Sequence, residues 1–142
     1  MTRADDALHE VTEVAVIAHP EHGVLLLHSD DRRWHLPDAT VLSGERWDDS
    51  LRRRVRDTTG IDDLRIGSVV LIRNFAAGDV DERPQFGIFF ACTTDRPEAL
   101  GDRPHRWVRD RATAEELDLF HPLIADLVDR AMGEGPSGDA TV

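Results

Sequence analysis

Apolar positions fall into short strand-like runs broken by turn residues, with one clear helical stretch between them. Val11 to Ala18 (VTEVAVIA) is rich in β-branched residues and reads as a strand, ended by the turn His19-Pro20-Glu21-His22-Gly23. Val24 to His28 is its apolar hairpin partner, Ser29 to Arg33 a polar turn, and Trp34 to Leu36 another short strand before Pro37. From Trp47 to Thr59 the period changes. Trp47, Leu51 and Val55 recur at steps of four and predict the inward stripe of an amphipathic helix. Asp48 and Asp49 lie in its first turn, where the helix dipole favours negative charge, and Gly60 follows its end as a C′ glycine. Leu64 to Phe75 and Gln85 to Thr93 read as long strands around the loop Ala76 to Pro84. A polar connection with Pro97, Gly101 and Pro104 leads to a short strand, His105 to Arg109. A short helix is expected over Thr113 to Leu119, and Pro122 opens a second with Leu123, Ile124, Leu127, Val128 and Ala131 on its apolar face.

Strands mixed with a central and a C-terminal helix predict an α+β or α/β sandwich. One domain over 11–133 is expected, with a charged lead-in at 1–10 and a small, polar, disordered ending at 134–142. No apolar run approaches the roughly 20 residues of a bilayer span. The acidic N-terminus lacks the apolar stretch of a secretory signal, so the cytoplasm is the expected compartment. The lone Cys92 sits in an apolar run and reads as a buried, inert thiol.

The formal net charge of -11 argues against a nucleic-acid polymer or an anionic membrane as partner. A small molecule is the expected ligand. All seventeen basic residues are arginine. Lysine Schiff-base chemistry is thereby excluded, and any phosphate clamp is built from guanidinium groups. Within the helix, Asp48–Arg52 and Asp49–Arg53 are spaced as acid-first ion pairs. The histidines lack the local spacing of a zinc site and read as hydrogen-bonded surface groups. His35, next to Trp34, is the one best placed to act as a general acid or base.

The stretch from Leu36 to Ile61, LPDATVLSGERWDDSLRRRVRDTTGI, resembles a Nudix box, whose signature is G-x5-E-x7-R-E-U-x-E-E-x-G-U with U a bulky aliphatic residue. Without a gap, the chain keeps Glu45, Arg53, Val55, Gly60 and Ile61. It places Ala39 at the opening glycine and Arg54, Asp57 and Thr58 at the three helix glutamates. The lead-in Trp34, Leu36 and Pro37 and the late Arg106-Trp107-Val108 extend the likeness over most of 10–133.

The resemblance implies an α/β/α sandwich with a mixed sheet, and hydrolysis of nucleoside diphosphate derivatives with Mg²⁺ or Mn²⁺. In the family the helix acids hold the metals. Here the three positions carry a formal charge of zero where three glutamates would carry -3, and Arg54 is expected to neutralise Asp57. The resemblance also implies that Glu45 and Arg53 pair and, with Gly60, are structural. Arg54, Asp57 and His35 are the catalytic candidates, and Asp38, Arg54, Thr58 and Trp34 the ligand-binding ones. Glu45 and Asp57 are the remaining metal candidates.

Three functions follow. The first is a divergent relative that binds a small phosphorylated or nucleotide-like metabolite, with metal-dependent hydrolysis weak or absent, no cofactor and an open metal-independent activity. The second is a Mg²⁺- or Mn²⁺-dependent hydrolase with fewer ligands, recruiting acids such as Asp38, Glu82 or Glu115. The third is a non-catalytic protein-interaction domain. Specificity is expected in the loops Ala76 to Pro84 and Pro97 to Pro104. Dimerisation among relatives leaves a homodimer open.

Overall fold

Strand β1 (Glu10–His19) lies at the centre of the sheet, and its two edges have different partners. On one edge it runs parallel to β6 (Gln85–Thr93) over its whole length, from Glu10↔Gln85 to Ala18↔Thr93. On the other it pairs antiparallel with β4 (Asp38–Thr40) near its start and with β2 (Gly23–Ser29) at its end. β2 also pairs with β3 (Arg33–His35) and β7 (His105–Val108). β5 (Arg65–Phe75) closes the far side, antiparallel to β6. The structure is a computed structural model that describes residues 10–30, 33–41, 44–75 and 85–140. The loop expected to shape specificity at 76–84, with Glu82, lies outside them.

The mixed sheet is covered on both faces, because β1, β2 and β6 are apolar in both phases of their alternation. Val14, Val16, Val24, Leu26, Phe89 and Val108 point to one side. There they pack on Ile124, Ala125, Leu127 and Val128 of the C-terminal helix α3 (Leu123–Ala140). Ala15, Ile17, Leu25, Leu27, Phe90 and Cys92 point to the other side, against Leu51 and Val55 of helix α1 (Trp47–Thr59). Leu51 and Val55 are fully buried, each burial stabilising the fold by about 1.5–3 kcal/mol. This is the expected α/β/α sandwich.

Trp47 departs from the predicted stripe. It stacks on Phe90 of the interior strand β6 with ring centroids 5.0 Å apart, yet 48% of its surface stays exposed. The short helix α2 spans Arg111–Glu115 rather than Thr113 to Leu119. Asp110 caps it by accepting the Thr113 N–H at 2.7 Å, and Leu119 instead bridges to Trp34. α3 runs to Ala140, through a segment expected from its small polar residues to lack regular structure.

Candidate functional site

Gly60 fixes the far end of α1. It sits at φ 84° with its N–H on the Arg56 carbonyl, and a Cβ there would meet the Ala99 carbonyl oxygen at 2.6 Å. The turn thus enforced sends the chain beneath the connection before β7, and a cleft of about 600 Å³ opens between them. His28, Ser29 and His35 line it from β2 and β3, Asp38 and Thr40 from β4, Arg54 and Thr58 from α1, and Arg103 and Pro104 from the connection before β7. A smaller lobe of about 370 Å³ shares Asp38, Thr40 and Arg54 and adds Ala39, Ser50, Arg53 and Asp57.

The structure therefore gathers most of the residues singled out in the sequence. Arg54 faces both lobes. The Thr58 hydroxyl donates to the Arg54 carbonyl at 2.9 Å, folding its oxygen back onto the helix. Asp57 is exposed in the smaller lobe, and it pairs with Arg56 at 3.9 Å rather than with the Arg54 expected to neutralise it. His35 is buried, with 7% of its surface exposed. Its Nδ1 donates to the Leu36 carbonyl at 3.0 Å, so Nε2 meets the Ser29 hydroxyl at 3.3 Å. Asp38 reaches both lobes from the first residue of β4, a strand that pattern alone did not predict.

Trp34 stands apart from these. It packs on the His28 ring with centroids 4.9 Å apart and against the core beneath α3, and it is not among the residues lining the cleft. Glu45 also stays off the cleft wall. Its Oε2 takes the Arg53 guanidinium at 2.5 Å, the pairing expected to hold the preceding loop to α1. Arg53 thus does not pair with Asp49, which faces Arg46 at 3.6 Å. The other predicted helix pair, Asp48–Arg52, is present at 3.5 Å. Glu115 pairs with Arg111 on α2, away from the cleft.

Sequence reasoning missed Ser29 and Glu13, and it did not single out Arg103 or His28 as ligand contacts. Arg103 and Pro104 belong to the Pro97 to Pro104 connection expected to shape specificity, but no motif marks which of its residues enters the cleft. Glu13 is different, for it is an acid inside the apolar run VTEVAVIA, in phase with Ala15 and Ile17 on the α1 face. It is 1% exposed, and neither of its oxygens nor the Ser50 hydroxyl beside it makes a hydrogen bond of normal geometry among the described residues. Burial pushes its carboxyl up to about 7; nearby Ser50 pulls the other way, while Asp48 and Glu45 add to the rise. The Cys92 thiol is pushed up to about 12, also by burial, as expected for an inert core cysteine.

Neither a protein-family model nor a curated protein matches the chain. Solved structures do. The MutT protein from Methanosarcina mazei Go1 aligns at a TM-score of 0.67 and 20% identity, over 90% of this chain and 96% of its own. This chain has the Nudix fold. The E. coli dihydroneopterin triphosphate pyrophosphohydrolase aligns at a TM-score of 0.67 and 18% identity, over 88% and 96% of the two chains. A Nudix hydrolase from Nitrosomonas europaea aligns at 0.63 and 16%, over 84% and 85%. At such identities the likeness carries the Nudix fold alone, and the chemistry of the cleft rests on this chain's own side chains.

Proposed function

We propose that the chain binds a small phosphorylated or nucleotide-like metabolite in the cleft, with metal-dependent diphosphate hydrolysis weak or absent. One observation carries this reading: in a chain of net charge -11, the larger lobe presents two arginines, Arg54 and Arg103, against a single aspartate. Guanidinium groups meet phosphate or carboxylate oxygens through paired N–H donors. Arg54 and Arg103 hold the anionic group, Ser29 and His28 offer further polar contacts, and Asp38 is placed for a sugar or base hydroxyl. His35, oriented by Leu36 and backed by Ser29, is the group available for metal-independent proton transfer.

The α1 face suits Mg²⁺ poorly. A hard dication takes six oxygen ligands in near-octahedral geometry, usually several carboxylate oxygens and waters. Here Asp57 is the one α1 carboxylate lining the cleft, Arg54 beside it would repel a dication, and the Thr58 hydroxyl is engaged with the helix backbone.

The test is ligand binding without metal. With EDTA present, ADP-ribose should raise the melting temperature, and Arg54→Ala or Arg103→Ala should abolish the rise without lowering the unliganded value. Binding that needs Mg²⁺ and survives both substitutions would refute the reading. A hydrolase with fewer metals is the alternative, favoured by Asp38 and Asp57 sharing the smaller lobe.

A further inference from the structure

The turn between β1 and β2 brings together three side chains that sequence spacing did not flag. His19, Glu21 and His22 each offer one donor atom, and these atoms lie within 4.8 Å of one another. Among the described residues this is the one such group of histidine, cysteine and acidic side chains. Its backbone is held on several sides. His19 pairs in register with Gly23, which sits at φ +108° with its α-carbon so close to β7 that a Cβ would collide with the Val108 carbonyl oxygen. The Arg109 guanidinium donates to the Glu21 carbonyl, and the Glu21 N–H donates to His19 Nδ1 at 3.1 Å. The rings of His19 and His22 lie 4.8 Å apart and lean on Trp107 at 6.4 and 5.9 Å. The Glu21 carboxylate makes no ion pair or hydrogen bond among the described residues.

We propose that this turn binds one borderline divalent transition-metal ion, with Zn²⁺ as the reference ion and Ni²⁺ or Cu²⁺ as alternatives. Two imidazoles and a carboxylate are the donors such ions take, whereas Mg²⁺ prefers oxygen alone. Glu21 and His22 are exposed and free to close the remaining distance onto bonds of about 2.0–2.2 Å. A fourth position stays open to water. The ion competes with the Glu21 N–H for the His19 lone pair, so it is held less tightly than in a closed four-ligand site. Bound there, it fastens the β1–β2 corner against Trp107 and β7. On β2 the first residue to line the cleft is Leu27, four residues beyond Gly23, so at about 3.3 Å per residue the turn lies roughly 13 Å from the cleft wall. The site is therefore separate from the one proposed to hold the metabolite.

The test is calorimetric titration of EDTA-stripped full-length protein with Zn²⁺, beside quenching of tryptophan emission by Cu²⁺. One ion per chain is expected, with the quenched emission lost in Trp107→Phe. A ligand's loss should weaken binding at least about tenfold, since even outer partners of metal ligands contribute that much. His22→Ala and Glu21→Gln, both at exposed positions that leave the fold intact, should show it, and His105→Ala should not. Zn²⁺ should raise the melting temperature of the parent but not of His22→Ala. Absence of saturable Zn²⁺ uptake, or uptake unchanged in His22→Ala, would overturn the proposal.

Discussion

Glu13→Gln should reshape the pH dependence of stability. Below about pH 4.5, the ordinary value, Glu13 is protonated in both folded and unfolded chains and contributes no difference. As pH rises the unfolded chain ionises first, while burial holds the folded carboxyl neutral until about 7. The folded state thus loses stability through that window, and the loss is complete above it. At about 1.4 kcal/mol per pH unit the full difference is about 3 kcal/mol. A glutamine side chain has nearly the same shape and never ionises, so the variant should match the parent near pH 4.5 and exceed it by about 3 kcal/mol at pH 8. In a domain of this size each kcal/mol moves the melting temperature by roughly 2–4 °C, a gain of about 6–12 °C. Asp48, Asp63 and Asp110 have carboxyls held below the usual range. Their contributions are lost only at lower pH, as it falls through those values, and they cancel in the difference between the two proteins. Urea unfolding of both from pH 4.5 to 8 reads the effect directly. Parallel curves would mean that Glu13 is ionised in the folded chain, and the burial argument would fail.

Two further predictions concern the cleft's scaffold and the core. Gly60→Ala combines a positive φ with a backbone collision at Ala99. It should lower stability by at least about 1 kcal/mol in chemical denaturation and weaken ligand binding with it. Cys92 should resist a thiol reagent at pH 8 in the native protein and react at once in denaturant, since its thiol is buried and pushed up to about 12. Rapid native labelling would contradict the packing of the α1 face.

How much was legible in the sequence follows from the range of each interaction. Leu51, Val55 and Gly60 were readable because helical period and the αL cap are local properties. Trp47 shared the same period, yet its exposure depends on how the first turn of α1 lies over Phe90 of β6, which no local pattern encodes. β4 escaped notice because three residues carry no period, and pairing with β1 makes the strand. Arg54 and Thr58 were found through their spacing from Glu45 and Gly60. Arg103 enters the same cleft from far along the chain, with no motif to mark it. Glu13 was the legible signal that went unread: an acid in a strand whose two faces are both apolar has nowhere solvated to point. The histidine turn was missed for another reason, since turn geometry, not helical spacing, brings His19 and His22 together.

If guanidinium groups, rather than a metal cluster, govern the charge of this cleft, added Mg²⁺ should not switch on hydrolysis. Conversion of ADP-ribose to AMP and ribose 5-phosphate, and of nucleoside triphosphates to monophosphate and pyrophosphate, followed chromatographically with and without millimolar Mg²⁺, decides the point. Negligible product is expected from the parent protein, and Mg²⁺-dependent product once Arg54 and Thr58 are both changed to glutamate. Robust Mg²⁺-dependent turnover by the parent that disappears in Asp57→Asn would contradict this expectation.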